Sequence, residues 1–346
     1  MIADRAMLGC AAFGRALDAR GLALDGLGPL DGVLRRVDAG APAPAQRRAI
    51  VEPLWTGVRC IDAMLTLGRG ARIGIFGAPG AGKSTLLETI VRGTRADAVA
   101  VGLVGERGRE AQRWIAACDE RTTVICATAD RPAHERVRAA ELLLAHAGAL
   151  AARGLHVLAI LDSLARYAYA LRELGVARGE GVGRGGYPPS VFARTAQLVE
   201  RAGAFENGSV TLIATVLSDG DERDPVSENA RSLLDGHIQL SLRLAQAGEF
   251  PAIDVLGSAS RTMDAVTSAE HARAAALVRT ALARLERCAD ARSLGIEPAD
   301  SPTRIAMAAE GSIAALLRQG PAPADAARAL EALRQTADML EEAHGY

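Results

Sequence analysis

One stretch of the chain, residues 72–95, sets the strongest constraint on the fold. Residues 72–76 form a short apolar run typical of a buried strand, and residues 84–95 carry apolar side chains at helical spacing. Between the two lies an octet that matches the phosphate-binding pattern G-x-x-x-x-G-K-[ST]. The octet consists of Gly77, Ala78, Pro79, Gly80, Ala81, Gly82, Lys83 and Ser84. Strand, loop and helix in this order predict an α/β fold that holds phosphate groups at a helix N-terminus.

Lysine occurs once in the chain, inside this octet, although the chain has 40 basic residues. The ammonium of Lys83 can reach between the β- and γ-phosphates of a nucleotide, whereas a planar guanidinium is bulkier and has a fixed geometry. A glycine-rich turn can also be only a turn, but the flanking strand and helix favour nucleotide binding. The octet and the adjacent Thr85 therefore predict an ATP site, with Ser84 as a ligand of Mg²⁺.

Charge and cysteine content exclude several classes of protein. The net charge is −1, so no overall basic field favours nucleic acid or an anionic membrane. The five cysteines lie far apart without a C-x-x-C pair, which predicts reduced thiols, argues against a zinc site and indicates the cytosol. No apolar stretch is long enough to cross a bilayer and no secretory signal opens the chain. We therefore expect membrane association only through partners and no nucleic-acid partner.

Strand and helix patterns alternate from residue 69 onward, which predicts a doubly wound, mostly parallel sheet. Only helical patterns follow residue 261, with breaks at prolines. The expected organisation is an irregular lead-in over 1–50, a nucleotide-binding domain over 51–265 and a small all-helical domain over 266–346. The predicted strands are 72–76, 98–104, 122–127, 155–162, 209–217 and 236–241. The predicted helices are 83–95, 108–120, 132–152, 163–175, 189–203, 267–287, 302–318 and 322–343.

Two carboxylates follow predicted strands and are candidates for phosphate chemistry. Asp162 ends the apolar strand 156–162, the position expected of a residue that holds a Mg²⁺-bound water, although it can also cap the next helix. Glu106 lies just past strand 98–104, so it is expected at the same sheet edge as Lys83. There it could orient the attacking water, while Arg107 could offset charge on the transferred phosphoryl group. A solvated ion-pair cluster is the alternative for these two neighbours.

Several segments together resemble the type III protein secretion ATPases of injectisomes and flagellar export, relatives of the catalytic subunit of rotary ATP synthases. The stretch 186–193, with sequence GYPPSVFA, is the most specific of them. The resemblance covers about residues 8 to 320 and implies a RecA-like ATPase core. The other segments that carry it are the phosphate loop, Glu52–Asp62, Gly105–Glu110, Asp162–Ala168, Leu234–Ile238, Phe250–Leu256 and Ser260–Arg261.

The resemblance also implies roles for individual residues. It makes Glu106 the catalytic carboxylate and Arg261 an arginine finger that reaches the γ-phosphate of a neighbouring subunit. It matches Arg166 to the active-site arginine of the family and Phe250 to an aromatic residue against the adenine. Without the resemblance, the two arginines would be interpreted as surface charges and the phenylalanine as a core residue.

Assembly and partners follow from the same resemblance. It implies a homohexameric ring in the cytoplasm, peripheral to the inner-membrane secretion apparatus. The implied partners are stalk and stator proteins, export chaperones and cargo proteins. Members of the family usually carry a small β-barrel domain ahead of the segment that begins here near Met7, and this chain is expected largely to lack it. The segment Thr128–Pro132 resembles the injectisome side of the family.

Three other functions stay open at this point. A nucleotide-binding subunit that supports assembly without hydrolysis is disfavoured by the presence of both Glu106 and Arg261. A nucleic-acid translocase is disfavoured by the near-neutral charge. A catalytic subunit of an ATP synthase fits the GYPPSVFA segment less well than an export ATPase does.

Overall fold

The computed structural model describes residues 5–38, 40–217, 224–298 and 300–342. The chain divides into two compact units. The first, here called the sheet unit, comprises residues 1–50, 69–77 and 96–237. The second, here called the helical unit, comprises residues 51–68, 78–95 and 238–346. The domain boundaries predicted at residues 50 and 265 stay a prediction.

Strands and helices alternate through the middle of the chain, as predicted. The strands are β1 Arg5–Met7, β2 Ala16–Asp18, β3 Leu34–Arg36, β4 Pro53–Leu54, β5 Leu67–Gly68, β6 Arg72–Gly77, β7 Ala98–Val104, β8 Thr122–Ala127, β9 His156–Asp162, β10 Gly203–Ala204, β11 Ser209–Leu217, β12 Gly236–Leu240 and β13 Ile253–Ser260. The helices are α1 Arg59–Met64, α2 Lys83–Gly93, α3 Gly108–Ala116, α4 Ala133–Ala151, α5 Leu164–Ala177, α6 Pro189–Val199, α7 Pro225–Leu233, α8 Leu242–Gln246, α9 Met263–Val266, α10 Ala269–Ser293, α11 Ser301–Ala308, α12 Glu310–Leu317 and α13 Ala326–Glu342. Single turns of 3-10 helix occupy Cys10–Ala12, Pro44–Gln46 and Arg184–Gly186.

The sheet unit is built on parallel strands in the order β6-β11-β9-β7-β8-β2. Every neighbouring pair in this series is parallel, and the short strand β10 adds an antiparallel pairing to β11. Strands β7, β8 and β9 are buried over their whole length, which agrees with their continuous apolar sequences. The predicted α/β fold with a mostly parallel sheet is confirmed.

Small side chains let helix α4 approach this sheet closely. A Cβ atom added at Gly102 of β7 would lie 2.6 Å from Cδ2 of Leu143 on α4, so only glycine fits there. Ala139, Ala140 and Ala147 of α4 are fully buried. An alanine-rich core of this kind brings the helix and the sheet close together.

The N-terminal segment has more structure than the predicted irregular lead-in. Strand β2 extends the main sheet through parallel pairing with β8, and β1 pairs with β3. The Asp25 carboxylate holds the loop after β2, because it accepts two hydrogen bonds from Arg15 at 2.8 and 3.0 Å and one from Ala16 N at 2.9 Å. These hydrogen bonds, led by that from Arg15, lower the pKa of Asp25 well below its usual range. Long-range pairing of three-residue strands leaves little periodic signal in a sequence.

The helical unit contains α1, α2 and α8–α13, with β4 and β5 paired antiparallel and β13 hydrogen-bonded to β12. Helix α10 packs against α11 and α13, and α1 packs against α13. The predicted helix over 302–318 is two helices, because α11 ends at Ala308 and α12 begins at Glu310. Among the described residues, no helix combines the length and apolar character needed to cross a membrane.

A buried carboxylate organises the turn that leads into α1. Asp62 accepts hydrogen bonds from Thr56 N at 2.8 Å, Thr56 Oγ1 at 2.7 Å and Gly57 N at 3.0 Å. Burial raises the pKa of Asp62 to about 6, against the opposing effect of these three donors. The turn at residues 56–58 is therefore fixed from within the helical unit.

Candidate functional site

The carboxyl ends of the parallel strands bring the predicted chemistry together within the sheet unit. Gly77, the first residue of the phosphate loop, ends β6 beside Leu217 of β11. Asp162 ends β9 and is paired with Leu103 of β7, one residue before that strand ends. Because parallel strands share an edge, the start of the phosphate loop and both candidate carboxylates lie along the same side of the sheet. Ligands of open α/β sheets bind at this side.

Asp162 is held at the strand end and is nearly inaccessible, with 2 % of its surface exposed. Its Oδ1 accepts a hydrogen bond from Thr215 Oγ1 at 2.5 Å, and Thr215 is fully buried on the neighbouring strand β11. The peptide bond from Asp162 to Ser163 is cis. The cap of helix α5 is the side chain of Ser163, which accepts a hydrogen bond from Arg166 N at 3.2 Å. The helix cap that the sequence left open for Asp162 is thus supplied by its neighbour.

Glu106 is likewise buried, with 3 % of its surface exposed. Its Oε1 lies 3.1 Å from Nε of Arg166, and a second guanidinium nitrogen of Arg166 donates to the carbonyl of Gly105. The backbone of the same turn is tied to β8 and the residues beyond it, since Gly105 N donates to Ala127 O at 2.7 Å and Ala129 N donates to Glu106 O at 3.0 Å. Gly105 has φ +71°, and a Cβ there would lie 3.0 Å from Arg166. Glycine suits this position because φ is positive and because it leaves room for the Arg166 side chain beside the turn.

The phosphate loop continues from β6 into helix α2. Gly80 and Gly82 have φ of +85° and +87°, a conformation that glycine adopts without strain. Helix α2 begins at Lys83, where Leu86 N donates to Gly82 O at 3.0 Å. Lys83 and Ser84 are partly exposed, and Thr85 is exposed. The loop therefore presents backbone N–H groups, one ammonium and one hydroxyl at the start of a helix, an arrangement suited to a polyphosphate.

A cavity of about 590 Å³ in the helical unit opens beside this helix. One wall is α2, another is the turn that carries Phe250, and the third is the linker between α12 and α13. Phe250 is 45 % exposed, and its ring lies 3.4 Å from where a Cβ of Gly82 would stand. The lining residues include Val58, Thr85, Leu86, Thr89, Leu240, Phe250, Pro251, Ala252, Arg318, Gln319, Gly320 and Pro321.

The remaining predicted residues lie on the surface. Arg107 is exposed at the start of α3, and Arg261 is exposed directly after β13 in the helical unit. Sequence reasoning missed Thr215 and Gln319. Thr215 stands among apolar residues in β11, and its contact with Asp162 depends on strand order, which no local pattern encodes. Gln319 lies in a loop, where polar residues are common and a single glutamine forms no recognisable motif.

Comparison with known families decides the identity of this fold. Residues 57–260 match the nucleotide-binding domain of the ATP synthase alpha/beta family. The chain belongs to this family. The phosphate loop, both buried carboxylates and Phe250 all lie inside the matched range.

Two relatives define the branch of the family more closely. The type 3 secretion system ATPase of Sinorhizobium fredii is 45 % identical over 315 residues, which cover 88 % of this chain and 70 % of the relative. The flagellum-specific ATP synthase of Pseudomonas aeruginosa is 43 % identical over 332 residues, which cover 91 % of this chain and 72 % of the relative. The predicted membership among type III secretion ATPases is confirmed, and both export systems occur among the relatives.

Solved structures agree with this assignment. The assembled ATPase EscN from the type III secretion system of enteropathogenic E. coli matches with a TM-score of 0.92 and 37 % identity, covering 96 % of this chain and 83 % of EscN. EscN in complex with its central stalk EscO matches with a TM-score of 0.88 and 36 % identity over the same share of both chains. The protein is therefore an ATPase of the secretion family, and ATP is its nucleotide.

Proposed function

We propose that this ATPase hydrolyses ATP with Mg²⁺ and energises the export of proteins through a type III secretion system, by releasing chaperones and by unfolding and admitting cargo. One observation carries the proposal. Two buried carboxylates, each held by a side-chain partner, lie at the sheet edge from which the phosphate loop starts. A protein that only bound nucleotide would have no use for a buried, arginine-paired glutamate at that edge.

The phosphate loop holds the triphosphate in this proposal. Backbone N–H groups from Gly80 to Thr85 surround the phosphates, and Lys83 reaches the β- and γ-phosphates. The start of α2 adds the favourable field of a helix N-terminus. Phe250 contacts the adenine from the cavity beside α2.

Ser84 and Asp162 would hold Mg²⁺. Both offer hard oxygen donors, which are the ligands Mg²⁺ prefers, and the buried carboxylate of Asp162 is oriented by the hydroxyl of Thr215. When bound, Mg²⁺ neutralises charge on the β- and γ-phosphates. Ser84 presents its hydroxyl on the first turn of α2, next to Lys83.

Glu106 is the proposed base for the attacking water. The carboxylate orients and polarises this water, while Arg166 fixes the carboxylate through the ion pair at 3.1 Å. Arg107 lies next to Glu106 and offsets charge on the transferred phosphoryl group. Arg166 is therefore both a charge near the reaction and the group that positions the base.

Arg261 acts in trans from a neighbouring subunit of a homohexamer. Its exposure directly after β13 supports this role, since a guanidinium that serves another chain must be at the surface. The similarity to an ATPase solved in its assembled form supports a ring, and the similarity to EscN in complex with EscO supports a central-stalk partner. We extend the proposal to stator proteins, export chaperones and cargo.

The injectisome is the proposed export system, rather than the flagellum. The segment Thr128–Pro132 supports this choice, and so does the relative from Sinorhizobium fredii. In this proposal the protein works in the cytoplasm, peripheral to the inner-membrane apparatus, and reaches the membrane only through partners.

Replacing Lys83 tests hydrolysis directly. Lys83→Ala and Lys83→Arg should both reduce phosphate release to the background rate, because neither an alanine nor a planar guanidinium can reach between the phosphates. Arg178→Ala, at an exposed position at the end of α5, is a charge-removing control and should keep wild-type turnover. Undiminished phosphate release from Lys83→Ala overturns the proposal.

Mixing two inactive variants tests the arginine finger. Lys83→Ala keeps Arg261, and Arg261→Ala keeps the phosphate loop, so a mixture forms some interfaces with both groups intact. Turnover that returns on mixing, and a rate per subunit that climbs with protein concentration, support action in trans. If Arg261→Ala keeps full activity at every concentration, this role is wrong.

A further inference from the structure

The linker between α12 and α13 forms one wall of the cavity beside the phosphate loop. Residues 318–321 line it, facing a wall from α2 that includes Thr85 and Thr89 and a turn that includes Phe250. All of these residues belong to the helical unit. The width of the cavity therefore depends on what holds the linker.

One side chain in the linker uses both ends of its amide. Gln319 Oε1 accepts a hydrogen bond from Arg59 N at 2.7 Å, and Nε2 donates to Gly57 O and to Ala322 O, both at 2.8 Å. This amide joins the linker to the turn that precedes α1, a contact between residues separated by 260 positions. Only a planar group with one acceptor and two donor hydrogens satisfies all three partners.

The backbone of the same residue holds the aromatic wall. Gln319 N donates to Phe250 O at 2.7 Å, so the turn carrying the ring is bonded directly to the linker. The ring in turn lies beside Gly82 of the phosphate loop. Side chain and main chain of one residue thus connect three segments around the cavity.

Helix α2 is bonded to the linker at Pro321, two residues after Gln319. The carbonyl of Pro321 accepts hydrogen bonds from Thr89 Oγ1 at 3.2 Å and from Arg92 at 2.8 Å. The end of α2 also packs tightly against the linker and the turn before α1. A Cβ atom added at Gly93 would lie 2.5 Å from Thr56 O and 3.0 Å from Cβ of Pro323. Beyond Gln319 the linker is thus bonded to α2 at Pro321 and to the turn before α1 at Ala324, whose N donates to Gly57 O at 2.7 Å. Gln319 fixes the part of the linker that precedes these contacts.

We propose that Gln319 is the positioning residue of the nucleobase side of the site: its amide fixes the linker, and its N–H fixes Phe250, at the separation that an adenine ring requires. This inference rests on the proposed function, since it takes the cavity to be the base side of an ATP site. Gln319 need not touch the nucleotide, because its side-chain amide is already committed to protein partners.

Equilibrium binding separates the base from the phosphates. Gln319→Met removes the amide at similar size, and Gln319→Glu turns the double donor into an acceptor facing two carbonyls. Both should weaken ATP binding by about tenfold, the factor that corresponds to 1.4 kcal/mol. The dissociation constant for inorganic tripolyphosphate, which has no base, should stay within about twofold, because the phosphate loop is unchanged. In turnover, KM for ATP should rise while kcat changes little.

Gln335→Glu is the matched control, since this glutamine is exposed on α13 and contacts Glu331 on the same helix. It should leave both dissociation constants unchanged. Melting temperatures of all variants identify any that fail to fold, and Gln319→Asn, which keeps the amide but shortens its reach, replaces such a variant. Equal weakening of ATP and tripolyphosphate, or no weakening of either, overturns the inference. If Lys83→Ala does not reduce turnover, the proposal of hydrolysis at this site is wrong. The dissociation constants of the Gln319 variants for ATP and tripolyphosphate still test the role of Gln319.

Discussion

The carboxyl edge of the sheet unit and the cavity of the helical unit are held in place by different kinds of contact. At the edge, Asp162 and Glu106 are almost inaccessible, and each is held by a side chain from a neighbouring element, Thr215 or Arg166. The cavity is instead bounded by a turn and a linker that are joined mainly through backbone groups and one neutral amide. Charges that must keep a fixed position stand at the ends of buried strands. The cavity, which we propose receives the flat, neutral base, is formed by segments from distant parts of the chain.

Glu106→Gln should produce the largest effect and tests the edge. It keeps size and polarity but removes the base, so kcat should fall by about 10²–10⁴-fold with KM for ATP nearly unchanged. Phosphate release under saturating ATP is the measurement. Glu120→Gln, exposed before β8, is the control and should behave as wild type. Retention of more than about a tenth of the activity would be too much for a catalytic base.

Phe250→Ala tests the cavity and should act on the other kinetic constant. Loss of stacking on a base costs about 1–3 kcal/mol, so KM for ATP should rise by about tenfold or more while kcat is largely kept. Tyr169→Ala removes a comparably exposed aromatic ring, at 43 %, from the sheet unit and should leave KM unchanged. A fall in kcat without a rise in KM would contradict the proposal that Phe250 contributes to ATP binding rather than to the chemical step.

Thr215→Val tests whether activity depends on the hydrogen bond that orients Asp162. Valine has nearly the same shape but cannot donate to Asp162, so the carboxylate loses the hydrogen bond that it accepts from Thr215 Oγ1. We expect kcat to fall by about five- to tenfold, the effect of one hydrogen bond of about 1 kcal/mol, and more Mg²⁺ to be needed for half-maximal rate. Thr280→Val, exposed on α10, is the control. An unchanged Mg²⁺ requirement would contradict the positioning role.

Asp25→Asn should have the smallest effect and concerns a carboxylate in the sheet unit away from the edge. Its pKa is lowered chiefly by Arg15, so the folded state favours the charged form, and the resulting stability is present above the usual Asp pKa of about 4 and lost as the pH falls further. The variant should unfold about 1 kcal/mol more easily at pH 7, with the difference shrinking below pH 4. Denaturant unfolding at several pH values measures it, and turnover should be unaffected. A difference in unfolding free energy that grows on acidification would contradict a lowered pKa of Asp25.

The sequence predicted the parts of the fold in which a local pattern is strong. The runs at β6, β7, β8 and β11 are apolar and bounded by turn residues, so their limits are close to those predicted. Strand β2 escaped prediction because three residues in a glycine-rich segment have no period to detect. The break in 302–318 at Ala309 escaped as well, since alanine favours a continuous helix.

The candidate site likewise contains residues that a local pattern marks and residues that depend on long-range contacts. Lys83, Ser84 and Asp162 are predicted because a motif or a strand end marks them, and the resemblance to secretion ATPases adds Arg166, Arg261 and Phe250. Thr215 and Gln319 act through contacts across strands or across 260 positions, which spacing along the chain cannot encode. Their roles, like those of the predicted catalytic residues, stay predictions until the variants are measured.

The placement of the single lysine has a practical consequence. Lys83 provides the only ε-amine in the molecule and is partly exposed at the start of α2. An amine-acylating reagent therefore has one lysine to modify besides the terminal α-amine. If ATP covers Lys83 as proposed, mass spectrometry of the intact protein should show one modification fewer when the nucleotide is bound. The chain supplies its own chemical reporter of ligand occupancy without any engineered label.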